Sequence, residues 1–355
     1  MKILCLIESL GSGGAERQLT GLAVMLRNVG HEVMVVTYYP QDFYRKSLDE
    51  AGVTYYYAKG AERKCKRIWI ISKVLKRFAP DVCIAYLTTP SIIACILKIL
   101  GQKGKLIVSE RNTNQKNSLS DFFRFTLFGL AADYIVPNSY MQYNFIKEHY
   151  PNLIKNVKVI TNFVDTDIFK PSKIKRERDN TILCVGRVFP QKNVLMFIEA
   201  IKELKKKRLD FKVKWYGLDE GEYAESCKRK VEEFGLDNEF VFCGATNNIK
   251  EQYLLADFLC LPSLYEGFPN VVCEAMSCGL PVVCSKVCDN PKLIEDSQNG
   301  FLFDPNNTYD MADKLNILLN LPDDEYRKMQ ERNRGKALEL FSKEGFINKY
   351  LNLIN

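Results

Sequence analysis

Short runs of apolar residues recur along this chain, separated by longer stretches in which apolar positions return every three or four residues. In the first half KILCLIE, EVMVVTYY, VTYYYA, DVCIAYL, KLIVSE, DYIVPNS and VKVITN have the length of strands, and patterns such as AERQLTGLAVMLRNVG and SIIACILKILG have the length of helices. A strand covered on both faces reads as a continuous apolar run, whereas an amphipathic helix shows a single stripe. The alternation therefore predicts βαβ units and a parallel sheet. It restarts after residue 180 with NTILCVGR, FKVKWYG, EFVFCG, DFLCLP, LPVVCS and NGFLF, interleaved with stretches such as NVLMFIEAIKELKKK. Between the halves VDTDIFKPSKIKRERDN is charged, contains Pro171 and lacks apolar periodicity, which marks a linker.

The predicted fold class is α/β: two doubly wound parallel-sheet domains facing each other across a cleft. The first spans residues 1–170 with a linker to about 180, and the second spans 181–335. No apolar run approaches the roughly 18 residues of a membrane span. The opening run breaks at Glu8, too early for a secretory signal. The 12 cysteines are scattered with no C-x-x-C pair, and the histidines are His31 and His149, so neither a disulfide framework nor a zinc site is expected. Reduced thiols in a cytoplasmic protein are the expectation.

Charge separates the halves. Residues 1–170 carry 23 Lys and Arg against 14 Asp and Glu, while the remainder carries 27 against 29. Much of the excess lies in residues 59–77, with eight basic residues and one acidic, where Ile68, Ile71, Leu75 and Phe78 recur at helical spacing. A basic amphipathic helix suits an anionic membrane surface, and equally a helix packed on its own sheet. KNSLSDFFRFTLFGL is a second aromatic and basic stretch. Nucleic acid is not expected as a partner, since no nucleic-acid-binding motif accompanies the charge.

Candidate chemistry sits where strands end. SLGSGGAERQL follows the first strand, and its Gly13 and Gly14 suit close approach of a phosphate to a helix start. A dinucleotide fingerprint would need glycine where Glu16 stands, which argues against a nicotinamide dehydrogenase. In ILCVGRVFPQKN, Arg187 and Lys192 flank the turn between a strand and a helix, a fork and a point charge that suit a diphosphate. YEGFPNVVCEAM places Glu266 before a helix whose first residue is predicted to be Pro269, with Glu274 about one and a half turns inside. The N–H groups of Asn270 and its neighbours at that start favour an anion. A nucleotide sugar, with hydroxyls at both ends and a diphosphate between, would engage all of these features.

GSGGAE, GRVFPQKN, SLYEGFPNVVCEAMSCGLPVV and DNPKLIEDSQNGFLF, in this order, resemble the family 4 retaining glycosyltransferases of the GT-B fold. The resemblance implies an enzyme that moves a hexose or N-acetylhexosamine, with retained configuration, from a nucleotide diphosphate, UDP by likeness, to a glycan or lipid-linked acceptor in cell-surface polysaccharide synthesis. No cofactor and no metal are implied. It assigns Glu266, Arg187 and Lys192 to catalysis. Donor binding falls to Gly13, Gly14, Arg187, Lys192, Glu266, Gly267, Phe268, Asn270, Val271 and Glu274, with Glu274 on the ribose and Glu266 at the sugar. In VSERNTN, where many members carry histidine, Arg111 and Asn112 become candidates for sugar or acceptor contact. Residues 336–355 would form the C-terminal helix returning to the first domain. A lipid-linked acceptor would place the chain in the cytoplasm, peripheral on the inner face of the membrane. Asp165-Thr166-Asp167 mimics a metal-binding D-x-D but falls in the linker. Two readings compete: a catalytically inactive nucleotide-sugar-binding protein, and a glycoside hydrolase using Glu266 and Glu274, which would leave Arg187 and Lys192 without a task.

Overall fold

The computed structural model describes residues 1–111, 116–172 and 177–355. They fall into two compact units, Met1–Phe163 with Lys343–Asn355, and Val164–Ser342. The first unit runs β1 (Lys2–Leu6), α1 (Gly14–Asn28), β2 (Glu32–Thr37), α2 (Arg45–Glu50), β3 (Thr54–Tyr57), α3 (Lys64–Phe78), β4 (Val82–Tyr86), α4 (Thr88–Ile99), β5 (Lys105–Glu110), α5 (Leu119–Ala131), β6 (Tyr134–Pro137) and α6 (Tyr140–His149). The second runs β7 (Thr181–Val185), α7 (Val194–Lys205), β8 (Lys212–Tyr216), α8 (Glu222–Glu233), β9 (Phe240–Gly244), α9 (Ile249–Leu255), β10 (Phe258–Leu261), α10 (Asn270–Ser277), β11 (Val282–Ser285), α11 (Asn290–Leu293), β12 (Gly300–Phe303), α12 (Thr308–Leu319) and α13 (Asp323–Phe341). α14 (Lys343–Ile354) then rejoins the first unit.

Each unit holds one parallel six-stranded sheet, ordered β3-β2-β1-β4-β5-β6 in the first and β12-β11-β10-β7-β8-β9 in the second. Ile3 of β1 lies opposite Val33 on one side and Val82 on the other, so the central strand is paired on both edges. In the first unit, α3 to α6 cover one sheet face with Ile71, Ile93, Phe125 and Ile146. α1, α2 and α14 cover the other with Leu19, Leu48 and Tyr350. Strands sandwiched in this way have little solvent face, which is why the central ones, β1 and β4, are largely apolar.

Two expectations are corrected. VKVITN makes a single bridge, Val157 with Ile135, and donates only from Lys158 and Ile160 to β6 carbonyls. Pro137 of β6 has no N–H to return, so the ladder stops there. The unit boundaries also move. Val164 donates to the Phe341 carbonyl and packs in the second unit's core with Ala337 and Phe341. The linker's start and residues 336–342 therefore belong to the second unit, and only Lys343 onward belongs to the first.

Candidate functional site

In the second unit the chain proceeds from β7 through β8 to β9, then returns to place β10 on the other side of β7. The loops leaving the carboxyl ends of β7 and β10 diverge at this reversal and open a crevice, the usual ligand seat of such sheets. Arg187 and Lys192 follow β7, and Ser263 to Glu274 follow β10.

Two glycines shape the strand ends. At Gly217, φ is 154°, and a Cβ would stand 2.1 Å from the Gly186 carbonyl oxygen. At Gly186, φ is 152°, and a Cβ would meet the Lys192 stem at 2.9 Å. Bare backbone here lets the Lys192 chain fold back over the end of β7. The short 3-10 turn Pro190–Lys192 is tied to the opposite loop twice. The Leu264 N–H donates to the Gln191 carbonyl at 2.8 Å, and Gln191 Nε2 donates to the Tyr265 carbonyl at 2.8 Å.

So held, Lys192 Nζ donates to Glu266 Oε1 at 2.6 Å, and Ser263 Oγ donates to the same oxygen at 2.6 Å. Both ionic side chains are largely shielded, 18% and 10% exposed, which preserves the attraction from solvent screening. The Glu266 N–H donates to Cys288 Sγ at 3.2 Å, in a loop where Cys288 adopts φ 50°. Arg187 is exposed and has no partner among the described residues. Glu274 is buried in α10, where Tyr253 of α9 donates its hydroxyl to Oε2 at 2.9 Å.

The helix start differs from the sequence reading. Pro269 precedes α10 rather than beginning it, with ψ 73°. Its carbonyl accepts from both Val272 and Cys273, and the Asn270 N–H donates to the Phe268 carbonyl at 2.9 Å. Asn270 is thus not the open donor expected. Phe268 packs in the core at 6.4 Å from Phe341, edge to face, which leaves its backbone as the part a ligand could use. Gly267 and Val271 are half-buried between these residues.

The remaining candidates lie in the first unit. Gly13 caps α1 with extended backbone and Gly14 is its first residue. The Glu16 carboxylate folds over that start, 2.2 Å from where a Gly13 Cβ would stand, and burial pushes its pKa up. Arg111 is buried. Its guanidinium donates to Asn162 Oδ1 at 2.8 Å and to the Tyr350 hydroxyl at 2.9 Å, and lies 3.9 Å from the Tyr86 ring centre. Its fork joins α14 to the sheet. Asn112 lies outside the described residues. Asp165 accepts from the N–H groups of Asp167 and Ile168, closing a turn on itself. Among the described residues, no group of three or more His, Cys, Asp or Glu is arranged to hold a metal ion.

Sequence reasoning gave no role to Ser263, Gln191, Tyr253 or Glu110. Ser263 begins the quoted SLYEG segment and was within reach, whereas Tyr253 carries no local signal. Glu110 ends β5, fully buried, beside Arg124 at 3.3 Å. Burial, opposed by Arg124 and reinforced by Asp121, raises its pKa from 4.5 to about 7.

Comparison with known proteins bears on the family and the fold. Residues 165–336 match the family described as Glycosyl transferases group 1, and residues 12–168 match Glycosyltransferase Family 4. A Campylobacter jejuni relative is 31% identical over 368 residues, covering 100% of this chain and 98% of its own. It is named GalNAc-alpha-(1->4)-GalNAc-alpha-(1->3)-diNAcBac-PP-undecaprenol alpha-1,4-N-acetyl-D-galactosaminyltransferase. A glycosyltransferase structure from Rickettsia africae superposes with TM-score 0.86 at 20% identity, covering 99% of this chain and 97% of its own. Anabaena HepE in complex with UDP and glucose gives TM-score 0.85 at 20% identity, covering 99% and 98%. With two parallel six-stranded sheets of the GT-B kind and full-length likeness to that Campylobacter enzyme, the chain belongs to the family 4 glycosyltransferases.

Proposed function

We propose that the chain is a retaining, metal-independent hexosyl- or N-acetylhexosaminyltransferase, taking its sugar from a UDP-linked donor and delivering it to a lipid-linked glycan for cell-surface polysaccharide. The name of the Campylobacter relative, an N-acetylgalactosaminyltransferase with an undecaprenol-linked acceptor, supports the sugar and acceptor classes. The observation that carries the reading is the Lys192–Glu266 pair at the strand reversal, with Arg187, unpaired among the described residues, on the same loop as Lys192.

The ammonium of Lys192 has three donors, and one is given to Glu266. Two remain for phosphate oxygens, and Arg187 adds a planar fork. As the bond from anomeric carbon to phosphate oxygen breaks, negative charge grows on the departing nucleoside diphosphate, and preorganised cations stabilise that growth. Glu266 orients Lys192 through one oxygen and the donor sugar through the carboxylate as a whole. The acceptor hydroxyl attacks the oxocarbenium-like carbon from the face the phosphate leaves and passes its proton to the departing phosphate oxygen, so configuration is kept. Glu274, braced by Tyr253, holds the ribose hydroxyls. Gly13 and Gly14 are assigned to donor binding, and Arg111 to sugar or acceptor contact. α3 presents Arg63, Lys64, Lys66, Lys73, Lys76 and Arg77 to solvent, and we assign it to the anionic inner face of the membrane. No helix among the described residues is long and apolar enough to cross a membrane.

The test is turnover of a UDP-sugar panel against a polyprenyl-diphosphate glycan, with the product anomer read by NMR and EDTA present throughout. Retained configuration and an undiminished rate are expected, and the paired changes Asp165→Asn and Asp167→Asn should leave the rate unchanged. Nucleotide bound but never released identifies an inactive binder. Activity lost in EDTA and restored by manganese overturns the metal-independent mechanism.

A further inference from the structure

α5, LSDFFRFTLFGLA, is apolar on two sides, unlike an ordinary surface helix. Its two charged residues, Asp121 and Arg124, are buried and paired with each other at 2.6 Å, and Arg124 also reaches Glu110. Four of its large apolar residues face water: Leu119 is 80% exposed, Phe122 55%, Phe123 70% and Leu130 73%. Positions 119, 122, 123 and 130 fall on one side of a 3.6-residue helix, so the four form a single stripe. Phe125 and Phe128 supply the separate inward stripe that packs on the sheet. Scattered exposed apolar residues need no explanation, but a continuous stripe marks an interaction surface.

The neighbours indicate what it meets. α4 packs against both α3 and α5. α3 and α5 bury their inner residues in the same core on the same sheet face, so their outer sides both point away from it. The outer side of α3 carries the exposed Lys66, Lys73, Lys76 and Arg77 and Trp69, 58% exposed, with Lys73 Nζ 3.5 Å from the ring centre. Exposed aromatic and aliphatic side chains beside basic ones are the composition of a surface that lies in a lipid headgroup layer. A second copy of the chain fits poorly, because a two-fold contact centred here would bring these basic residues against their equivalents.

We propose that α5 inserts the Leu119, Phe122, Phe123 and Leu130 stripe into the acyl boundary of an anionic bilayer, with α3 seated on the headgroups beside it. This rests on the membrane assignment of α3 made above and adds a hydrophobic anchor that charge alone does not supply. The expected behaviour is therefore two-part: salt weakens binding through α3, and a salt-resistant fraction depends on α5.

The full chain is floated with phosphatidylcholine vesicles with and without phosphatidylglycerol, at low and high salt, with no donor or acceptor present. Binding to the anionic vesicles is expected, with part of it surviving high salt. Phe122→Ser with Phe123→Ser should lower the partition constant about 100-fold, on the order of tenfold per ring withdrawn from the hydrocarbon. The extra emission of Phe123→Trp over the parent should be quenched by lipids carrying a quencher on the acyl chain. Unchanged partition in the serine variant, or no acyl-chain quenching, overturns the anchor. Concentration-dependent dimers that dissociate in the serine variant overturn it in favour of a second copy. Transfer to a soluble acceptor lacking the lipid tail should be equal in the parent and the serine variant. Vesicle binding and donor turnover thus fail independently.

Discussion

Replacing Glu266 by glutamine separates two roles that one carboxylate combines. The side chain keeps its shape, and its amide oxygen can still accept from both Lys192 and Ser263, now at 2.6 Å each. The charge is lost. A hydrogen bond to a charged group contributes about 1.5–3 kcal/mol and one to a neutral group about 0.5–1.5, so fold stability should fall by about 1 kcal/mol. Lys192, no longer neutralised, keeps its donors for the diphosphate, and donor affinity should hold or improve. The chemical step should suffer more. Loss of the oriented carboxylate beside the reacting carbon is expected to lower kcat about 100-fold, equivalent to about 2.7 kcal/mol. Glu274→Ala should behave in the opposite way, raising the donor KM with a smaller change in kcat, because ribose contacts are shared by ground and transition states. Steady-state kinetics of both variants, calorimetric titration of the nucleotide sugar and thermal melts give the three quantities. Loss of donor binding in Glu266→Gln with normal turnover at saturation would show that the roles are reversed. If neither variant alters transfer, the crevice at β7 and β10 is not the donor site.

Two further predictions concern the scaffold. Glu110 titrates near 7 in the fold against 4.5 in the free chain, so the folded state holds a proton the unfolded state has released between those values. Its contribution to stability is therefore complete below about pH 4.5 and is lost as pH rises through about 7, up to roughly 3 kcal/mol in all. In urea melts at pH 5 and pH 8, Glu110→Gln should gain on the parent as pH rises; a constant difference would place the pKa elsewhere. Gly217→Ala should cost about 2 kcal/mol or more, since its Cβ would overlap the Gly186 carbonyl at 2.1 Å, and should weaken donor binding through displaced Lys192; an unchanged melting temperature would refute the close approach.

The parallel strands were legible because burial on two faces leaves few polar positions, and all six runs of the second half became β7 to β12. VKVITN misled because Val157 and Ile160 are buried without being part of a ladder, which needed a donor that Pro137 lacks. At the site, Glu266, Lys192 and Arg187 stood out because ionic residues at strand ends are conspicuous. The Lys192–Glu266 contact joins residues 74 positions apart and depends on bare backbone at Gly186, which spacing alone does not convey. α5 was ambiguous for a simpler reason. A helix apolar on both sides does not declare which side faces the sheet; in the structure it is the side with Phe125, Phe128 and the Asp121–Arg124 pair.

The route of the backbone also bears on how the protein is made. The first unit is built from two segments separated by the whole of the second, and its core includes Phe346, Ile347, Tyr350, Leu353 and Ile354 from α14. Until α14 has left the ribosome, the hydroxyl of Tyr86 and the fork of Arg111 lack Tyr350, and one face of the sheet lacks part of its cover. The second unit, contiguous from Val164 to Ser342, suffers no such delay. Domains otherwise tend to form in the order of synthesis. Here the half translated first waits, incomplete, for the half translated second, and an incomplete sheet face held open through that interval is a natural target for chaperones.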